Sequence, residues 1–469
     1  MHTSTTSTVP LVSWTAAQLL EATQGYWLND QAPNSDIKRI LTDSRDAEAG
    51  DAFLALKGER FDAHAFITQV AEQGCQVAIV SQPIDAEICQ LVVPDTRLAL
   101  GQLGAYRRAQ NPQLKVIALT GSSGKTTTKE MLGSILSRIA PTLVTRGNLN
   151  NDLGVPVMLL ELRPEHQYAV MELGASHQGE IDYTSNLVQP LVAGIINIGT
   201  AHLGEFGGRD GICRAKSEIY AHIAPNGTSI VPAADDFADS IRQAVQTEQV
   251  LSFGSGGEIF ATEIELQAQS ATFKLNTPQG VRQVNLPFAG EHNVQNATAA
   301  AAFALAIGIS LDDIVLGLEQ AVGAKGRLNF IQQGRHLLID DTYNANPTSM
   351  RAAAEVLAQQ EGVRVMVMGD IGELGSSAAQ QHYMLGRDLV SVKGLNFVVA
   401  VGEFAPAAQE GARSTQYGKK MQAFLTQEQA LPFLLSLIET HQPQSMSFLF
   451  KGSRYTHMET LMADLMEKL

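Results

Sequence analysis

The stretch Val116-Ile-Ala-Leu-Thr-Gly-Ser-Ser-Gly-Lys-Thr-Thr127 joins an apolar run to a loop of glycine and hydroxyl residues. The apolar run predicts a buried strand. After the loop, apolar residues recur at the spacing of one helical face: Met131, Leu132, Ile135, Leu136 and Ile139. Between the strand and the predicted helix, Gly121 and Gly124 allow a tight turn. Its N–H groups and the positive end of the helix together favour a bound phosphate.

The loop also suits a nucleotide that carries a metal ion. Lys125 can reach the β- and γ-phosphates, and the Thr126 hydroxyl can join the shell of a Mg²⁺ ion. The full motif has a glycine five residues before Gly124, where this chain has Leu119. The alternative is therefore a solvated turn with a surface lysine, but the flanking strand and helix favour ATP. The predicted ATP-binding residues of the loop are Gly121, Ser122, Ser123, Gly124, Lys125, Thr126 and Thr127.

Strands and helices alternate on both sides of this loop, which predicts an α/β fold. A length of 469 residues suggests about three domains. We expect a small α/β N-terminal domain over 1–94 and a central P-loop ATPase domain with a parallel sheet over 95–325. A Rossmann-like, doubly wound C-terminal domain is expected over 326–469. Within the central domain, residues 250–288 predict an antiparallel appendage, and the alanine-rich run 297–306 predicts a buried helix.

The composition narrows the class of protein. A net charge of −15 lacks the basic face of a nucleic-acid binder. Three scattered cysteines form neither a disulfide framework nor a zinc motif. No apolar stretch reaches the roughly 18 residues of a membrane span, and the polar residues 1–10 do not resemble a signal peptide. We expect a cytoplasmic protein that binds no nucleic acid and has no membrane span.

Three further residues are candidate catalytic or metal-binding residues because of their positions in the predicted strands and helices. Glu172 ends a predicted strand, and His202 follows another, at the sheet edge where parallel sheets bind ligands. Lys216 lies on a predicted helix. Taken singly, each has a structural alternative: a capping or ion-paired glutamate, a structural histidine and a surface lysine.

Ten ordered motifs between residues 120 and 454 resemble those of the Mur ligase family of peptidoglycan enzymes, and the resemblance spans nearly the whole chain. They are Thr120-Gly-Ser-Ser-Gly-Lys-Thr-Thr127, Gly147-Asn-Leu-Asn-Asn-Asp-Leu-Gly-Val-Pro156, Glu172-Leu-Gly-Ala-Ser-His-Gln-Gly-Glu-Ile181, Ala201-His-Leu203, Ala215-Lys-Ser-Glu-Ile219, Gly290-Glu-His-Asn-Val-Gln-Asn296, Gly326-Arg-Leu328, Asp340-Asp-Thr-Tyr-Asn-Ala-Asn-Pro347, Met368-Gly-Asp-Ile-Gly-Glu-Leu374 and Lys451-Gly-Ser-Arg454. The shortened phosphate loop is the form that this family uses. Leu203-Gly-Glu205 departs from the family's usual Leu-Glu-Gly order, which affects only local loop geometry.

The resemblance implies an ATP-dependent ligase with two Mg²⁺ ions, whose three domains hold a UDP-sugar, ATP and the incoming amino compound. It implies that Lys216 is carbamylated. The implied catalytic residues are Lys125, Lys216 and His202. The implied metal ligands are Thr126, Glu172 and His202, with binding of the muramoyl peptide as the alternative role of His202. The implied ATP contacts outside the loop are Asn293, Asn296, Arg327 and Asp341.

The resemblance also implies the substrates. Asp341-Thr-Tyr-Asn-Ala-Asn-Pro347 points to the branch that adds D-alanyl-D-alanine to UDP-N-acetylmuramoyl-tripeptide, because relatives that add single amino acids have a histidine-containing segment there. Asp43-Ser-Arg45 resembles the uridine-binding segment. The implied UDP-substrate residues are Ser44, Arg45, Asn150, Asn151 and Ser176. The implied D-Ala-D-Ala residues are Tyr343, Asn344 and Asn346. We expect a monomer.

Two alternatives stay open from the sequence. A sister ligase, which adds the third peptide residue or glutamates to folate, would share the phosphate loop and the modified lysine. A nucleotide-dependent switch or binding protein would hydrolyse ATP slowly and form no amide.

Overall fold

The computed structural model describes residues 12–58, 61–200 and 203–469. The chain divides into two compact units. The first contains the described residues up to 118 together with 140–174 and 182–190. The second contains 119–139, 175–181 and 191–469. The fold is α/β throughout, as predicted. The domain boundaries predicted after residues 94 and 325 stay predictions.

The N-terminal part of the first unit is built on a mixed five-stranded sheet. Its elements are α1 Ala16–Thr23, β1 Tyr26–Trp27, β2 Ile40–Leu41, β3 Ala52–Leu54, α2 Ile67–Glu72, β4 Val77–Val80, β5 Cys89–Val92 and α3 Thr96–Ala109. The strand order is β1-β5-β4-β3-β2, and only β1 runs antiparallel to its neighbour. All four residues of β4 are buried, as expected of a parallel strand covered on both faces.

The middle of the chain carries the phosphate loop. Its elements are β6 Lys115–Thr120, α4 Lys125–Ser137, β7 Thr142–Val144, α5 Gly154–Leu160, β8 Tyr168–Glu172, α6 Glu180–Val188, β9 Val192–Ile195, α7 Leu203–Phe206, α8 Arg209–Ser217, β10 Thr228–Pro232, α9 Ala238–Ala244, β11 Gln249–Phe253, β12 Phe260–Leu266, β13 Ala271–Thr277, β14 Gly280–Leu286, α10 Glu291–Ala306 and α11 Leu311–Glu319. In the first unit β7 lies parallel to β8. In the second unit β9, β10 and β11 lie side by side in parallel.

Two predictions for this region need correction. The antiparallel appendage is real but smaller: it consists of β12, β13 and β14, whereas β11 continues the parallel sheet because its backbone pairs with β10. Ile139 does not belong to the buried face of α4. It lies beyond the end of the helix at Ser137 and is 42% exposed. The buried alanine-rich helix is confirmed as α10, where every residue from Ala297 to Ala304 is buried.

The C-terminal part of the second unit has a six-stranded sheet in the order β15-β16-β20-β17-β18-β19. Its elements are β15 Asn329–Gln333, β16 His336–Asp340, α12 Pro347–Ala358, β17 Val363–Gly369, α13 Ala378–Ser391, β18 Phe397–Val401, α14 Ala405–Arg413, β19 Met421–Phe424, α15 Gln427–Thr440, β20 Met446–Lys451 and α16 Met458–Met466. Only β15 is antiparallel. The predicted doubly wound pattern is confirmed, with β15 and β19 as additional edge strands.

The side chains of this sheet alternate between two cores, because successive residues of a strand point to opposite faces. On β17, Met366 and Met368 pack with residues of α12, α13 and α14. Val365 and Val367 pack on the other face with residues of α15 and α16. This double burial holds the carboxyl ends of β16, β17 and β20 at one edge, where the polar residues of the candidate site follow.

Candidate active site

The phosphate loop begins where β6 ends and finishes where α4 begins. Gly124, the residue before α4, has a φ of 78°, a left-handed conformation that favours glycine. A Cβ at this position would lie 2.2 Å from the Asn296 Oδ1 atom, so a larger residue would also collide with a buried side chain. The local conformation and the packing therefore both require glycine here.

Asn197, which follows β9, holds the phosphate loop through hydrogen bonds to backbone atoms of the loop. Its Oδ1 accepts from the Ser123 N–H at 3.0 Å, and its Nδ2 donates to the Ser123 carbonyl at 2.9 Å. The Asn197 carbonyl accepts from the Ser122 N–H at 3.1 Å. A single residue thus makes three hydrogen bonds to the loop. No motif in the sequence gives this asparagine a role.

The polar side chains of the loop meet both the loop itself and the C-terminal part of the unit. Lys125 Nζ donates to the Gly121 carbonyl at 3.0 Å. The Thr126 hydroxyl accepts from Arg327 Nη2 at 3.2 Å, and the Arg327 guanidinium lies 4.4 Å from the centre of the Tyr343 ring. The Ser122 hydroxyl is buried and makes no hydrogen bond within the described residues.

Asn346 begins α12 and reaches the loop at the same time. Its Oδ1 caps the helix by accepting from the Ser349 N–H at 2.8 Å. Its Nδ2 donates to the Ser123 hydroxyl at 2.9 Å. A second hydroxyl contact lies nearby, between Thr348 and Thr200 at 3.3 Å. The start of α12 and the phosphate loop are therefore neighbours.

These residues line one cleft of about 640 Å³ within the second unit. The cleft brings together many of the predicted nucleotide and D-Ala-D-Ala residues: Ser122, Ser123, Gly124, Lys125, Thr126, Thr127, Asn293, Asn296, Arg327, Asp341, Asn344 and Asn346. It also contains residues that the sequence analysis did not single out: Asn197, Thr200, Asp235, His292, Thr348 and Lys451. The lining does not include Gly121 or Tyr343.

A buried ion pair forms part of the cleft wall. Lys451 Nζ lies 2.7 Å from Asp341 Oδ2, and both side chains are nearly inaccessible to solvent. Lys451 also donates to the Asn344 carbonyl at 3.0 Å, while Asp341 Oδ1 accepts from the Leu328 N–H at 3.3 Å. Burial lowers the pKa of Lys451, and the neighbouring Asp341 carboxylate opposes that shift. Lys451 belongs to one of the ten motifs, but only the structure shows its partner.

The helix α10 supplies further polar residues of the cleft lining. Asn296 Nδ2 donates to Asn293 Oδ1 at 3.0 Å, and Asn293 Nδ2 donates to the Ala289 carbonyl at 2.8 Å. Burial lowers the pKa of His292 to about 4, although Asp341 acts in the opposite direction. At neutral pH His292 is therefore an uncharged imidazole in the cleft wall.

Glu172, in the first unit, has the properties expected of a metal ligand. It is 2% exposed. Its Oε1 accepts from Asn150 Nδ2 at 2.8 Å, and its N–H donates to the Thr145 hydroxyl. Its Oε2 is buried without a hydrogen-bond partner among the described residues. A buried carboxylate oxygen is costly unless it meets a donor or a cation, so this residue fits a divalent metal ion.

Lys216 lies on α8 and is 2% exposed, which contradicts the surface-lysine alternative. Carbamylation would replace its ammonium group by an anion. His202 lies outside the described residues. Among those described, no three His, Cys, Asp or Glu side chains gather as a metal site.

The predicted UDP-substrate residues are dispersed. Ser44 and Arg45 lie on a short 3-10 turn after β2, and Arg45 is an exposed side chain that donates through Nε to Asp43 at 2.8 Å. This hydrogen bond lowers the pKa of Asp43 to about 2. A separate cavity of about 200 Å³ in the first unit is lined by Asp43 but by neither Ser44 nor Arg45.

The other three predicted UDP-substrate residues also make hydrogen bonds within the protein. The Asn150 carbonyl accepts from the Gly174 N–H at 2.7 Å. Asn151 Oδ1 accepts from the Gly154 N–H at 2.8 Å. The Ser176 N–H donates to Glu180 Oε2 at 2.8 Å. Each therefore also has a role in shaping its own loop.

A glycine loop between a strand and a helix, facing a second α/β region across a polar cleft, defines a nucleotide-binding protein of the P-loop class. Three family descriptions cover most of the chain: the catalytic domain of the Mur ligase family over 36–118, the Mur ligase middle domain over 119–304 and the glutamate ligase domain of the Mur ligases over 326–454. The chain belongs to the Mur ligase family.

Individual relatives agree along the whole length. The chain is 41% identical to the UDP-N-acetylmuramoyl-tripeptide–D-alanyl-D-alanine ligase of Escherichia coli K12, over 97% of this chain and 99% of the relative. It is 74% identical to UDP-N-acetylmuramoylalanyl-D-glutamyl-2,6-diaminopimelate–D-alanyl-D-alanyl ligase of Acinetobacter baumannii. That solved structure superposes with a TM-score of 0.91 and covers 98% of this chain and 100% of the other.

A more distant solved structure, the MurF ligase of Thermotoga maritima in complex with ADP, is 25% identical. Its TM-score is 0.79, with coverage of 92% of this chain and 97% of the other. Among the described residues, no helix is both long and apolar enough to cross a membrane.

Proposed function

We propose that this protein is an ATP-dependent ligase of peptidoglycan precursor synthesis. It joins D-alanyl-D-alanine to UDP-N-acetylmuramoyl-tripeptide and releases ADP and phosphate. The observation that carries the proposal is the cleft in which the phosphate loop faces Arg327, Asp341 and Asn346. Membership of the Mur ligase family and the activity named for the 41% identical E. coli relative support the choice of substrates.

The reaction forms an amide from a carboxylate and an amine. A carboxylate is a poor electrophile, so its oxygen first attacks the γ-phosphorus of ATP, which gives an acyl phosphate and ADP. The amine of D-alanyl-D-alanine then attacks the acyl carbon and loses a proton, and phosphate leaves. Lys125 stabilises charge on the transferred phosphoryl group, and Arg327 positions it. Positioning dominates because the protein forms no covalent bond.

Mg²⁺ supplies charge neutralisation on the phosphoryl oxygens. We propose Thr126, Glu172 and His202 as ligands, and a carbamate on Lys216 as an anionic group toward a second ion. The buried, unpartnered Glu172 Oε2 and the buried position of Lys216 support these roles. Asn293 and Asn296 are proposed to bind the nucleotide base. Asp341, which lies in the C-terminal region, is proposed to contact the same nucleotide.

For the sugar nucleotide, we propose contacts from Ser44, Arg45, Asn150, Asn151 and Ser176. The exposed guanidinium of Arg45 can turn from Asp43 to a diphosphate, because a surface ion pair is weak. For D-alanyl-D-alanine we propose Tyr343, Asn344 and Asn346, since the last two line the cleft.

Further proposals concern the tripeptide and the setting. We propose 2,6-diaminopimelate as the third peptide residue, because the 74% identical A. baumannii ligase is named for it. We propose a cytoplasmic location, since ATP and UDP-linked precursors are cytoplasmic metabolites. We also propose that the protein is a monomer, with domains over 1–94, 95–325 and 326–469. Light scattering on the purified protein measures its mass against the 50.4 kDa of one chain.

The deciding experiment measures phosphate release and the mass of the product. ATP, Mg²⁺ and D-alanyl-D-alanine are supplied with UDP-muramoyl-tripeptide that carries either diaminopimelate or lysine. Formation of the pentapeptide is expected, faster with diaminopimelate. A product only from the UDP-muramoyl-dipeptide and a diamino acid would identify a sister ligase instead, and a product from folate and glutamate the folate enzyme. ATP hydrolysis with no amide in any mixture would indicate a nucleotide-dependent switch.

A further inference from the structure

Ser123 is the meeting point of two asparagines from different parts of the second unit. Its backbone N–H and carbonyl are both held by the Asn197 side chain, at 3.0 and 2.9 Å. Its hydroxyl accepts from Asn346 Nδ2 at 2.9 Å. Ser123, which precedes Gly124, is thus held both at its backbone and at its side chain.

These bonds decide what Ser123 can offer to a ligand. The N–H group is already paired with Asn197, so it is not a free donor to a phosphate oxygen. A serine hydroxyl that accepts one hydrogen bond keeps its own proton to donate. Because Asn346 occupies one side of that oxygen, the remaining O–H points away from Asn346, and Ser123 lines the cleft.

Asn346 cannot easily change partners. Its Oδ1 accepts from the Ser349 N–H at 2.8 Å and completes a capping box at the start of α12. With Oδ1 fixed, the amide plane and therefore the direction of Nδ2 are fixed as well. Pro347 at the next position also restricts the backbone. The helix cap consequently aims the donor at the phosphate loop.

We infer that Asn346 is a positioning residue for the phosphate loop: it orients the Ser123 hydroxyl and so couples the start of α12 to the phosphate-binding site. Asn197 is the fixed anchor on the other side of the same serine. The inference rests on the proposed function, since it concerns how that active site is assembled. It is separate from the proposed contact of Asn346 with D-alanyl-D-alanine, which by itself would change only the KM for that substrate.

The test is a double-mutant cycle with Asn346→Ser and Ser123→Ala. Serine is as good a helix cap as asparagine but is too short to reach Ser123, so it removes only the contact to the loop. Ser123→Ala removes the hydroxyl and keeps the backbone bonds to Asn197. Affinity for a non-hydrolysable ATP analogue with Mg²⁺ is measured by calorimetry, alongside kcat and KM for the ligase reaction.

Each single variant should weaken binding of the analogue by about fivefold, the factor that corresponds to one neutral hydrogen bond. The double variant should be no weaker than either single one, because both changes remove the same interaction. If the effects multiply to about 25-fold, or if Asn346→Ser binds the analogue as the parent does, the coupling is wrong.

Two controls distinguish this coupling from a loss of the helix cap and from a direct contact with the substrate. The thermal midpoint of Asn346→Ser should match the parent, whereas Asn346→Ala should lower it because the helix cap is lost. An increase only in KM for D-alanyl-D-alanine in Asn346→Ser would assign the residue to that substrate and overturn the inference. If the parent protein forms no amide, the proposed function fails, and the binding cycle still decides the coupling.

Discussion

Replacing Lys451 by methionine should destabilise the protein more than any surface charge deletion. The change leaves the Asp341 carboxylate buried, with the Leu328 N–H at 3.3 Å as a remaining donor. At an effective dielectric constant of about 20, two charges separated by 2.7 Å attract by about 6 kcal/mol. Desolvation of the pair offsets part of this, so removal of one partner should cost about 3–5 kcal/mol.

Differential scanning calorimetry measures this loss. A change of 1 kcal/mol in the free energy of unfolding shifts the thermal midpoint of a domain the size of residues 326–469 by about 2–4 °C. We therefore expect the midpoint of Lys451→Met to decrease by roughly 6–20 °C. Arg454→Met, which breaks an exposed pair with Glu459 a few residues later, is the matched control and should lose less than about 1 kcal/mol.

A second variant tests the cause. Lys451→Met combined with Asp341→Asn removes the uncompensated charge and should recover at least half of the lost stability. The reasoning is refuted if the double variant is as unstable as Lys451→Met alone, or if Lys451→Met unfolds within 2 °C of the parent, about the shift of a 1 kcal/mol change.

Four other outcomes are expected. Lys125→Ala should reduce kcat by at least about 10²-fold because charge stabilisation on the phosphoryl group is lost, and near-normal turnover would contradict the loop assignment. Lys216→Ala should be nearly inactive and partly restored by short carboxylic acids, whereas full activity without additive would exclude the carbamate. Burial lowers the pKa of His292 to about 4, so the stability that its neutral form contributes is present above pH ~6.5 and is lost progressively as the pH falls to about 4. Between pH 7 and pH 5, the free energy of unfolding measured in urea should therefore fall by up to about 2 kcal/mol more in the parent than in His292→Gln. Gly317→Ala should destabilise by about 1–3 kcal/mol despite alanine's higher helix propensity, since the new Cβ would lie 2.4 Å from the Ile135 Cα; a higher melting temperature would contradict this packing argument.

Much of the fold could be predicted because periodicity and punctuation are local properties of the sequence. The strand that leads into the phosphate loop and the strand that ends at Glu172 are both observed, as β6 and β8. The errors arose where tertiary context decides. Gln249–Phe253 overlaps the stretch predicted as an antiparallel appendage, yet its backbone pairs with β10 in parallel, and no local pattern identifies that neighbour.

The phosphate loop could be predicted from the sequence, whereas the contacts made by Asn197 and Lys451 could not. Glycines and a lysine in a fixed order indicate a phosphate, because the backbone geometry itself demands them. The role of Asn197 depends on β9 ending beside β6, where the Ile196 N–H donates to the Thr120 carbonyl. The partner of Lys451 depends equally on β20 lying beside β16. Such pairings join residues distant in the sequence, and no spacing encodes them.

The position of β20 has a consequence for the order of folding during synthesis. This strand comes latest in the sequence of its sheet, yet it lies between β16 and β17. While the ribosome has made only the residues before 446, β16 and β17 lack the neighbour that each pairs with, and their edges are open. Unpaired strand edges invite wrong pairing and aggregation. The sheet that carries Asp341 can close only when its central strand emerges, so the cleft wall is among the last parts of the molecule to form.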